Sequence, residues 1–204
     1  MKLTYVVFIL LGSTAISGAA LADGWDGAYL GIQGGFASLP STTIETAGIV
    51  NKDATLSGGL VGIDVGVDHQ FSNNFVLGAV GDLSLSNVSG DGLDKFNNPF
   101  KLTLNSLGRA QIRAGMSFGS ANENLLYVGG GIAFGNVTAA GGDINGSNSH
   151  LGYVVSAGFE HKISPSASIK AEASYVDLGT KTYNSGEIVK LGGLLATIGV
   201  NFHF

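Results

Sequence analysis

Four histidines and the serine next to one of them are the residues in this chain best suited to reaction chemistry. A serine nucleophile needs an imidazole within hydrogen-bond reach and an acid to orient it. His69, His161 and His203 fall near short turns or the chain end, and Ser149 beside His150 reads as ordinary loop polarity at the start of a strand. GGGIAFGN has glycines at a suggestive spacing, but no helix follows and no βαβ unit surrounds it, so a dinucleotide site fails on context. GGDINGSN lacks the carboxylates that would ring a calcium ion. With no cysteine in the chain, thiolate nucleophiles and thiolate metal sites are excluded.

The charged residues carry more information. Asp64, Asp68, Asp82, Arg109, Arg113, Glu160, Lys162, Lys170 and Glu172 sit at alternate positions of apolar-alternating segments. Successive side chains of a strand point to opposite faces, so these nine share one face. Five acids against four bases is nearly balanced, and a set enclosed together needs internal pairing, because an unpaired buried ion costs several kcal/mol.

The segments that position them have a period of two. In GLVGIDVGVDHQF, Val61, Ile63, Val65, Val67 and Phe71 alternate with Gly62, Asp64, Gly66, Asp68 and Gln70; the ending LLATIGVNFHF alternates in the same way. Eight such strands are expected, at about 27–37, 59–71, 75–86, 102–118, 125–136, 150–162, 168–178 and 190–204. Their connections alternate between short turns (Ser72–Asn74, Gly119–Asn124, Ser164–Ala167) and long stretches rich in Gly, Asn, Ser and Thr (Ser38–Gly58, Asn87–Lys101, Val137–Ser149, Gly179–Val189). That arrangement describes an eight-stranded antiparallel transmembrane β-barrel.

Alternation alone does not say which face is inside. The face opposite the nine charges carries little that ionises: His69 and His161 near short turns, and Lys190 at the start of the last strand. A charge at the bilayer midplane costs roughly 2–4 kcal/mol on the lipid side of a barrel. The nine charges are therefore assigned to the lumen and the apolar face to lipid. Phe71, Phe75, Phe118, Tyr127, Phe202 and Phe204 gather on the short-turn side, where an interfacial aromatic girdle belongs. A lipocalin-like soluble barrel would show frequent outer charges. The uncharged run Leu125–Gly142 is too rich in glycine for a membrane helix and lacks a companion span.

Composition and the N-terminus agree with this assignment. Only 12% of the 204 residues are charged and 33 are glycine, unusual for a soluble domain. Residues 1–22 have Lys2, an apolar stretch from Tyr5 to Leu11, and small residues ending at Ala22; this is the layout of a secretory signal peptide cleaved between Ala22 and Asp23. Cleavage removes one base and no acid, taking the formal charge from −5 to −6. With no basic run, nucleic acid is not an expected partner. Residues 23–204 form the barrel domain.

WDGAYLGIQGG, GLVGIDVGVDHQF with SNN and FVLGAVGD, LGRAQIRAGMSFG with LLYVGGGIAFGNV, GYVVSAGFEHKI, IKAEASYVDLG and IGVNFHF together resemble the small outer-membrane β-barrel proteins of alphaproteobacteria. That group is related to the OmpA transmembrane domain and includes surface antigens and haemin-binding proteins. The resemblance spans the mature chain. It implies an outer-membrane location with both termini in the periplasm, and Phe204 as the signal read by the assembly machinery. It also brings in haem, with His150, placed facing outward, as the axial-ligand candidate; the plainer reading of His150 is an exposed polar residue. Two positions depart from relatives: Val80, where an acid is frequent, and Ser174, where an Arg is frequent. Lipid-modifying relatives place a His two residues before a Ser, and no His here has that offset, so the chain is read as a non-enzyme.

An eight-stranded barrel has a lumen just wide enough for side chains to fill it. Inward glycines (Gly31, Gly35, Gly62, Gly66, Gly78, Gly115, Gly129, Gly131, Gly152, Gly158 and Gly199) either leave water-filled gaps or let Arg and Lys fold across the axis, and the second is the expectation here. The functional expectation is a monomeric surface protein with a structural, envelope-integrity and surface-interaction role. Its partners would be outer-membrane lipids and lipopolysaccharide, the assembly machinery, and a host or surface ligand at the long loops. A narrow porin-like channel or haem receptor is the alternative.

Overall fold

The computed structural model describes residues 24–44, 54–93, 98–141, 146–182 and 188–204. The leader and its cleavage site at Ala22 and Asp23 lie outside the described residues. Eight strands pair in chain order and close into a barrel: β1 (Gly27–Ile44), β2 (Ala54–Gln70), β3 (Phe75–Leu93), β4 (Pro99–Phe118), β5 (Asn124–Ala140), β6 (Gly146–Ser164), β7 (Ala167–Thr182) and β8 (Ile188–His203). Every neighbouring pair is antiparallel, and β8 returns to β1 with Leu30 opposite Phe202 and Ile32 opposite Val200. Closure leaves no unpaired edge, the condition for a sheet to survive in hydrocarbon.

Turn chemistry sets the short-turn end. Asn74 and Asn122 take φ values of 63° and 53°, a region Asn tolerates better than most residues. The turn after β4 is held by Glu123, whose carboxylate accepts N–H bonds from its own amide and from Ala121, the latter at 2.9 Å; these hold its carboxyl below the ordinary value.

The strands at the other end are longer than the alternation suggested. Their ladders run through most of the stretches expected to be loops, reaching Ser41 opposite Ala54, Leu93 opposite Pro99, Ala139 opposite Gly146 and Thr182 opposite Ile188. The barrel therefore has two storeys. In the lower storey, nearest the short turns, Leu30, Ile32, Val61, Ile63, Ile112, Val128, Val155 and Ile198 point outward, and the inner face is polar. About ten tilted residues per strand is the length that spans a bilayer.

In the upper storey the polarity reverses. Leu39, Leu56, Val88, Phe100, Leu102, Leu104, Val137, Leu178, Val189 and Leu191 are all buried in one cluster inside the barrel, whereas Lys101, Asn105 and Ser149 are exposed. On β4 a bulge at Asn105 changes the phase, so that Leu102 and Leu104 below it in sequence and Leu107 and Arg109 above it all face inward. On the outer surface Asn105 donates to the Thr138 hydroxyl at 2.7 Å, and Ser147 donates to Asn136 at 2.9 Å, marking the rim where the apolar belt stops.

Candidate functional site

The inward positions of the lower storey converge on two arginines of β4, two steps of the alternation apart with Gln111 between them. Arg113 donates from Nε to Asp68 Oδ1 at 2.9 Å, from a terminal nitrogen to Asp68 Oδ2, and from the other to Glu160 Oε2 at 2.9 Å. Its guanidinium carbon also lies 4.8 Å from the Tyr29 ring centroid and 5.0 Å from that of Tyr127. A planar cation is thus gripped at its edge by carboxylates and covered on its faces by aromatic rings. Arg109 binds both oxygens of Asp82 at 3.0 and 2.9 Å, then Glu172 Oε1 at 2.8 Å and the Ser174 hydroxyl at 2.9 Å.

Four further links complete the layer. Lys170 reaches across to Asp64 Oδ2 at 2.5 Å; Tyr127 donates to Glu172 at 2.9 Å; and Glu160 Oε1 accepts from Ser168 at 2.5 Å and Asn201 at 2.6 Å. Tyr29 stands on β1, Asp64 and Asp68 on β2, Asp82 on β3, the arginines on β4, Tyr127 on β5, Glu160 on β6, Lys170 and Glu172 on β7, and Asn201 on β8. All eight strands are tied through one network. Of the nine charges placed in the lumen from sequence, eight lie buried here. Lys162 is instead partly exposed at the mouth, donating to the Gly24 carbonyl with its ammonium 5.1 Å from the Trp25 ring centroid.

The lumen is stopped above and below this layer. Below, Trp25 is 1% exposed and packs with Val76, Leu125 and Tyr127. Its indole N–H donates to the Asn122 carbonyl at 2.8 Å and its amide to Gln70 Oε1 at 2.7 Å. Asp26 then bonds His69 at 2.7 Å and the Gln70 amide at 3.0 Å. Above, Leu60, Leu107, Val154, Val176 and Leu195 begin the apolar fill. The inward glycines are covered by neighbours: a β-carbon on Gly66 would lie 2.3 Å from the Tyr29 hydroxyl, one on Gly158 would lie 2.4 Å from that of Tyr127, and one on Gly78 would lie 1.8 Å from Asp68 Oδ1. Glycine here makes room for rings and carboxylates crossing the axis.

Three sequence placements are corrected. Tyr127 does not belong to the outer girdle; it shares parity with Leu125 and Gly129, faces inward and is 3% exposed. Phe71, Phe118, Phe202 and Phe204 do face outward. His150 does not face the exterior. It points into the upper storey, 1% exposed, because it sits opposite inward Gly135 on β5, so it offers no outer axial ligand to haem. Finally, a serine and a histidine do meet: Ser168 and His203 lie 2.8 Å apart. The Ser168 hydroxyl donates to Glu160, so it accepts from His203 Nε2, and Glu160 approaches that same nitrogen at 3.7 Å. A general base needs its free nitrogen on the serine and the acid on the other nitrogen. Neither condition is met, and the Trp25 ring, 5.8 Å from that of His203, covers the pair.

Sequence reasoning missed Trp25, Tyr29, Ser168 and Asn201 as members of the site. Inward parity of Tyr29 with Gly31 and of Asn201 with Gly199 was the available signal; for Trp25, which precedes the first strand, there was none. Ser174 takes part by accepting from Arg109 and donating to Glu172 at 3.0 Å.

Residues 7–204 match the outer membrane protein beta-barrel domain family. The 31 kDa outer-membrane immunogenic protein of Brucella melitensis is 29% identical over 199 residues, covering 88% of this chain and 80% of the relative. In fold, the chain resembles OprG of Pseudomonas aeruginosa (TM-score 0.53, 14% identity, 89% of this chain and 97% of that one). It also resembles Neisserial surface protein A (TM-score 0.52, 16% identity, 88% and 100%). The closed eight-stranded barrel, its outward apolar belt and the match along nearly the whole sequence lead to one conclusion: the chain belongs to the outer membrane protein beta-barrel domain family and is an outer-membrane protein.

Proposed function

We propose that this protein is a non-conducting structural barrel that anchors in the outer membrane and presents its upper storey for contacts at the cell surface. The observation that carries the reading is the continuous filling of the lumen: Trp25 at the mouth, the two-arginine network above it, and the apolar cluster from Leu60 to Leu191 above that. A narrow channel needs a polar path along the whole axis, and this one ends against leucine and valine. In this orientation the short turns and both chain ends of the barrel lie on the periplasmic side. The upper strands lie outside, among the sugars and phosphates of lipopolysaccharide.

A non-enzymatic role is the reading we draw from the same geometry. The Ser168 and His203 pair is wired as a structural bridge to Glu160, and the lower network holds its carboxylates in ion pairs with nothing turned toward an opening. Surface contact is supported by the polar outer face of the upper storey, with Lys101, Asp91 and Lys190 exposed above the apolar belt. Purified barrel in a planar bilayer is expected to give no steady conductance, and deletion of the protein is expected to leave cells more sensitive to detergent and osmotic stress. Stable single-channel steps from the unaltered chain would overturn the proposal.

A further inference from the structure

We infer that the lumen holds a single monovalent cation between Asp64 and Asn201. Both residues are buried, at 2% and 0% exposure. The Asn201 amide nitrogen donates to Glu160, which fixes the amide and turns its Oδ1 the other way. Asp64 Oδ2 accepts from Lys170, leaving Oδ1 for a second partner. Neither Asn201 Oδ1 nor Asp64 Oδ1 receives a hydrogen bond from the protein. Both converge on Gly31, lying 2.2 and 2.3 Å from the position a β-carbon would take there, so the two oxygens are no farther apart than those lengths together. Two buried acceptors facing each other without a donor repel, and each lacks the partner it had in water.

The chemistry of the surroundings selects the partner. The next inward residue of β1, Gln33, has both side-chain amide atoms without a partner among the described residues. A carboxylate oxygen and amide oxygens form an all-oxygen set suited to a hard cation, with no nitrogen or sulfur ligand that would favour a transition metal. Only one carboxylate contributes, and its charge is already shared with Lys170, which favours one positive charge over two. The wider network points the same way. Inside the lumen, the buried cations Arg109, Arg113 and Lys170 face five buried carboxylates, Asp64, Asp68, Asp82, Glu160 and Glu172, while Lys162 stands at the mouth. Gly31 keeps a β-carbon out of the space the ion and its ligands share.

The test uses the whole barrel, folded and purified in detergent with choline as the only cation, then returned to sodium, potassium or rubidium chloride at constant ionic strength. Thermal unfolding is expected to shift upward by several degrees in one of the alkali salts relative to choline, and crystals grown with rubidium should show an anomalous peak between Asp64 Oδ1 and Asn201 Oδ1. Gln33→Met, which removes the unpartnered amide oxygen one inward step from Gly31 and keeps much of the shape, should reduce the salt-specific shift, and Asp64→Asn should abolish it in whatever fraction folds. Identical unfolding in choline and all alkali salts, together with an ordinary water peak at the site or a proton shared by the two oxygens, would overturn the inference. If Asp64→Asn does not fold, the rubidium peak and the Gln33→Met shift decide alone.

Discussion

Trp25 hands its indole N–H to the backbone carbonyl of Asn122, at 2.8 Å, and so joins the segment entering the first strand to the turn between the fourth and fifth. The left-handed backbone of Asn122 turns that carbonyl toward the mouth, and Lys162 covers the indole face. Since Trp25 is the only tryptophan of the chain, its fluorescence reports the seal directly. Emission of the folded barrel should be blue-shifted and resist quenching by iodide. Trp25→Phe, which keeps an aromatic plug but loses the N–H, should cost about 1 kcal/mol; Trp25→Ala should cost about 3–5 kcal/mol, read from denaturant unfolding in detergent. A quencher-accessible tryptophan in the folded protein would contradict the seal.

Arg113 makes the sharpest electrostatic prediction. Replacing it by Met preserves much of its length between Tyr29 and Tyr127 but strands Asp68 and Glu160 in a dry lumen. Breaking a buried pair from one side costs about 3–5 kcal/mol, so Arg113→Met should lower the unfolding midpoint strongly. The triple change Arg113→Met, Asp68→Asn, Glu160→Gln should recover part of the loss, since the uncompensated charges go with it. Arg113→Lys keeps the charge but not the fork that binds both Asp68 oxygens and Glu160, and should fall between. The order of the three midpoints is the check.

The lower storey was legible in the sequence because one period-two rule governs both faces there: apolar against lipid, charged within. Asp64, Asp68 and Arg113 could be placed from parity alone. The partners could not, since Arg113 meets Asp68 across 45 positions and Glu160 across 47, and nothing local encodes which carboxylate it finds. The upper storey was misread for a different physical reason. Once the strands leave the membrane, the apolar face turns inward as in a soluble barrel, so Leu102 and Leu104 in KLTLNS alternate correctly but with inverted meaning. The bulge at Asn105 shifts the phase between the two storeys, and glycine and serine in the surrounding stretches made them look like loops.

Glycine positions separate close packing from empty surface. A β-carbon on Gly152 would lie 1.7 Å from the Asp177 carbonyl oxygen, a backbone atom that cannot swing aside, whereas one on the outward Gly34 would meet nothing nearer than 3.7 Å. Gly152→Ala should therefore force apart the sixth and seventh strands and cost about 1–3 kcal/mol, or prevent closure outright. Gly34→Ala should be neutral or slightly stabilising, because alanine restricts the unfolded chain more than glycine does. Heat-modifiable gel mobility, in which the folded barrel runs faster than the boiled one, reads both variants side by side.

Phe204 ends the chain with its side chain outward, 61% exposed, while its amide donates to the Ala28 carbonyl at 2.9 Å. The backbone bond extends the seam between the first and last strands by one step, and the ring stands at the lower margin of the apolar belt, where aromatic side chains are favoured. The two roles can be separated by substitution. Phe204→Ser keeps the amide, so a barrel refolded from denaturant into detergent should retain its heat-modifiable mobility and lose at most about 1 kcal/mol, the usual scale for a substitution away from the core. In cells the same change removes the terminal aromatic that the assembly machinery is proposed to read, so the amount of folded protein in the outer membrane should fall several-fold while unassembled chain is degraded. Phe204→Tyr should restore it. Equal loss in both settings would show that the ring serves stability alone, and no loss in cells would remove Phe204 as the assembly signal.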